Sequence, residues 1–486
     1  MTSESSLKNK TAKGLFWGGI SSSFQQIFQI IFGIIMLRLL SPEEYGIVGM
    51  LLIFHAISWL LLDPGLGTAI VNKKNATQKD YNALFGFSAI ISVTCYTILF
   101  FAAPYIADFY ENPVLTNVAR VYFLSILISG FSVSQSVYLF KEIKNKERAI
   151  IDFSSLSISG IIGVILAFNG YSYWALVIQH LLNICITVSL RWLFVPWRPS
   201  LKIDLSPLKN MFSFSIKLFL SGIITSIANN IFSLLLGKFY NETQVGLYSQ
   251  GNKWATMGSS FINGMMNSVM LPVLTQVKEN KERQRNVFRK MLRFGSFLSF
   301  PIILGLAFVG EEFLLIVGRD DSWLPAAPFL QLFCIWYAFS FILTLYTNLV
   351  LTHGRSDVHL WGSISIGGLQ LCIIGITFPF GIFPMIIAYL CTNIVSILFW
   401  HYFTNKLIGL KIFQIVKDIS PYLIITLVSI AISWFITMKI EPILLKLILK
   451  IVITATIYIT TIWFSNSVII KECYYFFRKT NSQKYE

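Results

Sequence analysis

The feature that most constrains this chain is a succession of long apolar blocks separated by short polar joints. The blocks run roughly over 14–40, 46–63, 83–103, 118–140, 149–168, 173–195, 212–237, 247–275, 294–317, 326–352, 358–380, 382–404, 421–438 and 443–468. Crossing a hydrocarbon core of about 30 Å takes about 20 helical residues. Lipid offers no partner to a free N–H or C=O, so blocks of this length must be helices that satisfy their own backbone. Bulk composition agrees. The 486 residues are 55% hydrophobic and only 13% charged, with a mean hydropathy of +0.67, whereas soluble domains carry about 25% charged residues. The expectation is an all-α polytopic membrane protein of about fourteen spans.

Charge placement gives the orientation. With the amino end on the cytoplasmic side, 30 of the 38 Lys and Arg residues fall on that side against 13 of the 23 acids, a net +17. The opposite side holds 8 basic and 10 acidic residues, a net −2. Such asymmetry is the expected mark of cytoplasmic loops, and it places both termini there. It also accounts for the formal charge of +15 without nucleic acid as a partner. The polar start MTSESSLKNKTAKG leads into an apolar run with no small-residue cleavage site, so that run reads as a retained span. The six cysteines form no CxxC pair, and five lie inside apolar runs, which makes them core residues rather than metal ligands or disulfides.

The chain is built twice, at an offset of 200. The first span ends IIMLRLLSPEEYGIV and the seventh ends LLLGKFYNETQVGLY. Arg38 matches Lys238, each eight residues before a glycine, Gly46 or Gly246, with Glu43 or Glu44 and Glu242 between. Gln29 matches Asn229, and Asp63-Pro64 matches Asn263-Gly264. Six spans per copy leave both copies in the same orientation, the parallel repeat of some transporter folds. The expected divisions are 1–200 and 201–410 for the two lobes, 411–470 for a final helix pair, and 471–486 for a cytoplasmic tail.

Motifs for catalysis are missing. His55, His180, His353, His359 and His401 show no HExxH or HxH spacing, and the chain has no GxSxG or Walker loop. The joints are too short for a soluble catalytic domain. The reading is therefore a non-enzyme without cofactor or metal. Polar residues inside the spans carry more information, because they are costly in lipid and usually face a cavity or another helix. Gln25, Gln26 and Gln29 lie in the first span, Asn229 and Asn230 in the seventh, and Asn263 and Asn267 in the eighth. Each reads as interhelical glue or as the wall of a polar cavity. Arg38, Arg120, Lys238 and Lys253 lie near the outer boundary, where they either snorkel to headgroups or meet an anionic group in a cavity. Asp63, before Pro64-Gly65, is a coupling acid or a helix-end turn residue. The basic stretch from Lys278 to Arg293 is a solvated inner loop or an amphipathic helix on anionic lipid.

LRLLSPEEYGIVGM, followed by DPGLGTAIVNKKNATQKDYNALF, resembles the start of the polysaccharide transporter (Wzx-type) flippases. NNIFSLLLGKFYNETQVGLYSQGNKW and VMLPVLTQVKENKERQRNVFRKMLR are similar to later segments of that family. The family belongs with MATE exporters and MurJ in the MOP superfamily. The resemblance implies two six-helix lobes around a cavity that opens alternately to either side, plus two further helices. It implies an undecaprenyl-diphosphate-linked oligosaccharide as substrate, flipped in the bacterial inner membrane for capsule, O-antigen (lipopolysaccharide) or exopolysaccharide assembly, with polysaccharide polymerase and assembly proteins as partners alongside membrane lipid. Basic cavity residues would meet the diphosphate, and amides and aromatics the sugars. The first span offers glutamines where MurJ has arginines, so these contacts would fall to Lys253, Lys238 and Arg38. Two alternatives stay open: a MATE-like cation-coupled exporter, which would want membrane-embedded acids, and a polysaccharide polymerase or ligase, which would want a large periplasmic loop.

Overall fold

A computed structural model describes residues 24–73, 75–200, 204–318 and 321–464. The tail expected at 471–486 lies outside the described residues. Every regular element among the described residues is helical. They group into two compact units, Met1–Ser249 and Gln250–Glu486.

In the first unit, α1 (Phe24–Leu39) ends at a short break. Ser41 then opens α2 (Pro42–Gly49) with a capping box: the Glu44 N–H donates to Ser41 Oγ, and the Ser41 N–H donates to Glu44 Oε2 at 2.6 Å. This arrangement supplies two of the N–H groups a helix start leaves unpaired. α3 (Leu52–Leu62) and α4 (Leu66–Asn72) follow, joined by a turn in which Gly65 takes φ +92°. Thr77 and Asp80 form a second capping box at the head of α5 (Gln78–Phe109). Next come α6 (Leu115–Tyr122), α7 (Leu124–Gly130) and α8 (Val133–Lys141), the last bent by 49° from the two before it. α9 (Asn145–Phe168) and α10 (Tyr173–Phe194) form a tightly packed hairpin. α11 (Ser206–Phe239) packs on α3, α4 and α5, and the first unit runs on to Ser249.

The repeat is visible as a contact within this unit. The first turns of α12 (Glu242–Gln276) cross α2 so closely that a Cβ on Gly46 would overlap the Glu242 carbonyl. Reciprocally, a Cβ on Gly246 would overlap the Pro42 carbonyl. Positions 42 and 46 thus meet their own counterparts, 242 and 246, in swapped roles. A local twofold relation between these two short segments produces this pattern, and only glycine permits the approach.

In the second unit, Asn280 caps α13 (Lys281–Ser299), its Oδ1 accepting the Arg283 N–H at 2.9 Å. A π-helical turn at Phe300–Leu304, containing Pro301, leads to α14 (Gly305–Phe308) and α15 (Gly310–Val317). A 3₁₀ turn at Asp321–Ala326 precedes α16 (Ala327–Tyr337) and α17 (Ser340–Thr352). α18 (Ser356–Thr377), α19 (Ile382–Ile408), α20 (Ile412–Thr437) and α21 (Ile443–Phe464) complete the unit.

The distribution of polarity is that of a bilayer protein. α20 buries Thr426, Ser429, Ser433 and Thr437 while exposing Leu427, Val428, Trp434 and Phe435. A soluble helix does the opposite. The hydroxyls bond within the bundle, Thr426 Oγ1 donating to the Tyr422 carbonyl at 2.7 Å, and the apolar side faces lipid. Eleven described helices are long and apolar enough to cross a membrane, and the bent run Leu115–Lys141 makes a possible twelfth. α1, described only from Phe24, and the 35-residue α12 occupy the two remaining expected spans, a count consistent with fourteen.

Candidate functional site

A polar pocket of about 300 Å³ opens among α1, α3, α7, α9 and α10 in the first unit. Its walls follow from helical spacing. Asn183, Thr187 and Arg191, four residues apart, share one face of α10. Asp152 and Ser155 share a face of α9, and Gln25 and Gln29 share a face of α1. Trp59 of α3, Ser129 of α7 and Ser132 beyond it close the remaining sides. Gly160 lets α1 reach α9, since a Cβ there would come within 2.6 Å of the Phe32 ring.

The pocket is held by side-chain bonds between helices. Gln25 Nε2 donates to Asp152 Oδ2 at 2.8 Å, and Arg191 Nη1 donates to Ser132 Oγ at 3.2 Å. Asn183 Nδ2 donates to Ser159 Oγ at 3.3 Å. Arg191 keeps guanidinium N–H groups beyond that single bond, and a guanidinium fork matches phosphate or carboxylate oxygens. The pocket therefore offers a cation, an acid, amides and hydroxyls in one low-dielectric space.

Of the residues singled out from the sequence, Gln25 and Gln29 line this pocket. The others lie elsewhere. Lys238 Nζ pairs with Glu111 Oε1 at 2.9 Å and lies over the Phe109 ring. Arg120 sits 4.5 Å from the Phe100 ring centroid, its Nε donating to the Phe100 carbonyl at 3.5 Å. Arg38 and Asn229 are exposed, and Asn230 Nδ2 donates back to the Ser226 carbonyl at 2.9 Å. Asp63 accepts the Gly67 N–H at 2.8 Å, the geometry of a residue fixing the turn into α4. In the second unit Lys253 is exposed. Asn263 Nδ2 donates to Ser340 Oγ at 3.1 Å and its Oδ1 accepts from Thr344 Oγ1 at 3.2 Å, an interhelical bridge between α12 and α17. The Asn267 side chain lies outside the described residues.

Asp152, Asn183 and Arg191 are among the pocket residues that the sequence alone does not single out. Asp152 and Arg191 sit within a turn or two of a span end, where they count with the inner-side charges. The available signal was an acid inside the apolar run 149–168 and an arginine continuing the polar stripe Asn183–Thr187. Elsewhere, the basic stretch after Lys278 forms an open cleft along α13, of about 480 Å³, lined by Arg283, Arg289, Lys290 and Arg293.

Comparison with known proteins follows the same lines. A family model described as polysaccharide biosynthesis protein matches residues 35–328, more than half of the chain. An uncharacterized membrane protein in the cps region of Klebsiella pneumoniae is 25% identical over 98% of this chain and 99% of its own length. The teichuronic acid biosynthesis protein TuaB of Bacillus subtilis is 24% identical, over 75% of this chain and 77% of that one. The lipopolysaccharide biosynthesis protein WzxC of Escherichia coli is 21% identical, over 77% and 78%. Among solved structures, the lipid II flippase MurJ in an inward closed conformation superposes with a TM-score of 0.72 at 13% identity, covering 93% of this chain and 99% of MurJ. An inward-facing MATE multidrug transporter of the MOP superfamily gives 0.62 at 15% identity, covering 79% and 95%. The fold is that of the MurJ and MATE transporters, and the chain belongs to the polysaccharide biosynthesis protein family.

Proposed function

We propose that the protein flips undecaprenyl-diphosphate-linked oligosaccharide units from the cytoplasmic to the periplasmic leaflet of the bacterial inner membrane by alternating access. The product would feed capsule, O-antigen or exopolysaccharide assembly, with a polymerase downstream. Both termini are cytoplasmic in this reading, which the placement of the basic loops supports. The observation that carries it is the pocket joining Arg191, Asp152, Asn183 and Gln25 inside a bundle whose outer faces are apolar. A glycan headgroup cannot cross hydrocarbon unaided, and such a pocket supplies the donors and acceptors it would otherwise lose. At about 300 Å³ the space suits one sugar ring or one phosphate, near the lower bound for small-molecule sites. It would therefore grip part of the headgroup while the lipid tail stays in the bilayer. Relatives named for teichuronic acid and lipopolysaccharide biosynthesis support a glycan cargo. Arg38, Lys238 and Lys253 remain proposed contacts for the diphosphate, and the two lobes at 1–200 and 201–410 remain our reading of the repeat.

Asp152 favours one second reading, a cation-coupled exporter, because an embedded carboxylate suits a cationic cargo. Cells lacking the protein, or carrying Arg191→Ala, should accumulate polyprenyl-diphosphate glycan and stop exporting polymer. Normal polymer export combined with new sensitivity to cationic dyes would support the exporter instead.

A further inference from the structure

His55 on α3 and His180 on α10, both half-buried, meet within the first unit. Their ring centroids are 5.1 Å apart, with the rings edge to face at 78°. Tyr122 of α6 stacks on His180 at 4.7 Å and lies 5.3 Å from His55, while Trp59 stacks on His55 at 6.0 Å. Nε2 of each histidine is buried and has no hydrogen-bond partner among the described residues. A pair placed only for packing would not need two imidazoles, since phenyl rings fill the same space without stranding polar nitrogens.

His180 lies well inside the 22-residue α10, and ionisable groups at such depth are functional by default. The pair also adjoins the polar pocket. His180, Asn183, Thr187 and Arg191 follow one another at spacings of three and four on one face of α10, and Trp59, one turn beyond His55, forms part of the pocket wall.

We propose that His55 and His180 form a proton-binding site that takes up a single proton, carried by one ring or the other, and that this proton is the ion driving transport. The coupling clause rests on the flippase reading above; the proton-binding clause does not. Uptake converts one imidazole to imidazolium at the expense of hydronium in the pocket, and release returns the proton to water. The aromatic faces of Tyr122 and Trp59 stabilise the cation. A second proton would place two like charges about 5 Å apart in low dielectric, so the two rings titrate as one coupled site. Among the described residues Tyr122 is the other titratable group against the rings. Among the described side chains, none on α2, α5, α7, α8 or α11, which also pack on α3 or α10, brings a charge to them. Asp152 of α9 and Arg191 line the adjoining pocket.

Two measurements test this. In the first, the full chain with ¹⁵N-labelled histidine is titrated in lipid nanodiscs, with His353, His359 and His401 as internal references. The signals of His55 and His180 should move together through one transition, and His55→Gln should shift the titration of His180. Tyr122→Leu, which keeps both imidazoles, should shift the shared transition. Independent titration of the two rings, or none, overturns the site. In the second, proteoliposomes are given a fluorescent polyprenyl-diphosphate sugar with and without a pH gradient. Wild type should flip faster with the gradient, and His55→Gln and His180→Gln should lose that response. A response retained in the double variant overturns the coupling. A wild type that never moves the probe sinks the flippase reading and the coupling with it, and leaves the nanodisc titration to decide the site.

Discussion

Glu312 of α15 and Lys450 of α21 face each other at 2.7 Å, each side chain only 7% exposed. Lys446, one turn earlier, reaches the same carboxylate at 3.2 Å. At the other end of the final helix pair, Asp418 of α20 accepts from Arg289 at 2.6 Å and Arg293 at 3.1 Å, both on α13. The last two helices are thus clamped onto the second unit by one ion-pair cluster apiece. Breaking a buried pair outright costs about 3–5 kcal/mol, and losing Lys450 costs less than that because Lys446 still reaches Glu312. Lys450→Met should lower the thermal midpoint in detergent markedly, Lys446→Met much less, and Glu312→Gln/Lys450→Met should recover part of the loss. Equal effects of the two lysine variants would contradict the burial difference.

The reciprocal crossing of Gly46 and Gly246 makes a paired prediction. Each Cβ would strike a backbone carbonyl, which cannot rotate aside as a side chain can. Overpacking typically costs about 1–3 kcal/mol and more against backbone. Gly46→Ala and Gly246→Ala should each lower the yield of folded protein and its thermal midpoint, by similar amounts. A strong effect from one and none from the other would argue against the local twofold relation.

At the pocket, Gln25→Ala leaves Asp152 without its 2.8 Å donor, at about 1–3 kcal/mol. Arg191→Lys keeps the charge but loses the fork, and should slow glycan-lipid flipping by about tenfold, or 1.4 kcal/mol. Arg191→Ala should slow it more. Initial rates in proteoliposomes distinguish them, and wild-type rates in both would remove Arg191 from the cargo path.

The Glu111–Lys238 pair is a contrasting case. Glu111 is 80% exposed, and exposed pairs contribute little. The lysine beside it holds its carboxyl below the usual glutamate range. A depressed carboxyl stabilises the fold above its unfolded pKa, and that contribution fades as pH falls through the lower folded value. Glu111→Gln should therefore leave the thermal midpoint at neutral pH almost unchanged, and any small difference from wild type should vanish in acid. A large loss at neutral pH would give this pair a role the geometry does not.

Much of the architecture was legible because lipid imposes it: a run such as 382–404 can only be a helix. The repeat was legible at Gly46 and Gly246 because close crossing leaves no other residue possible. The pocket was only half legible. Gln25 and Gln29 announce themselves as amides in an apolar run, whereas Asp152 and Arg191 resemble loop charges until α9 and α10 are packed together. His55 and His180 carry no motif, since their relation arises where α3 meets α10, and spacing along the chain says nothing of it.

The central claim is best tested by reconstituting the purified protein into liposomes containing a fluorescent undecaprenyl-diphosphate sugar and adding a membrane-impermeant quencher. The account predicts that the protected fraction, stable in empty liposomes, collapses when wild-type protein is present and that Arg191→Ala slows the collapse. A protected fraction that stays constant with folded wild-type protein, while a cationic dye is moved across the same membranes, would contradict it.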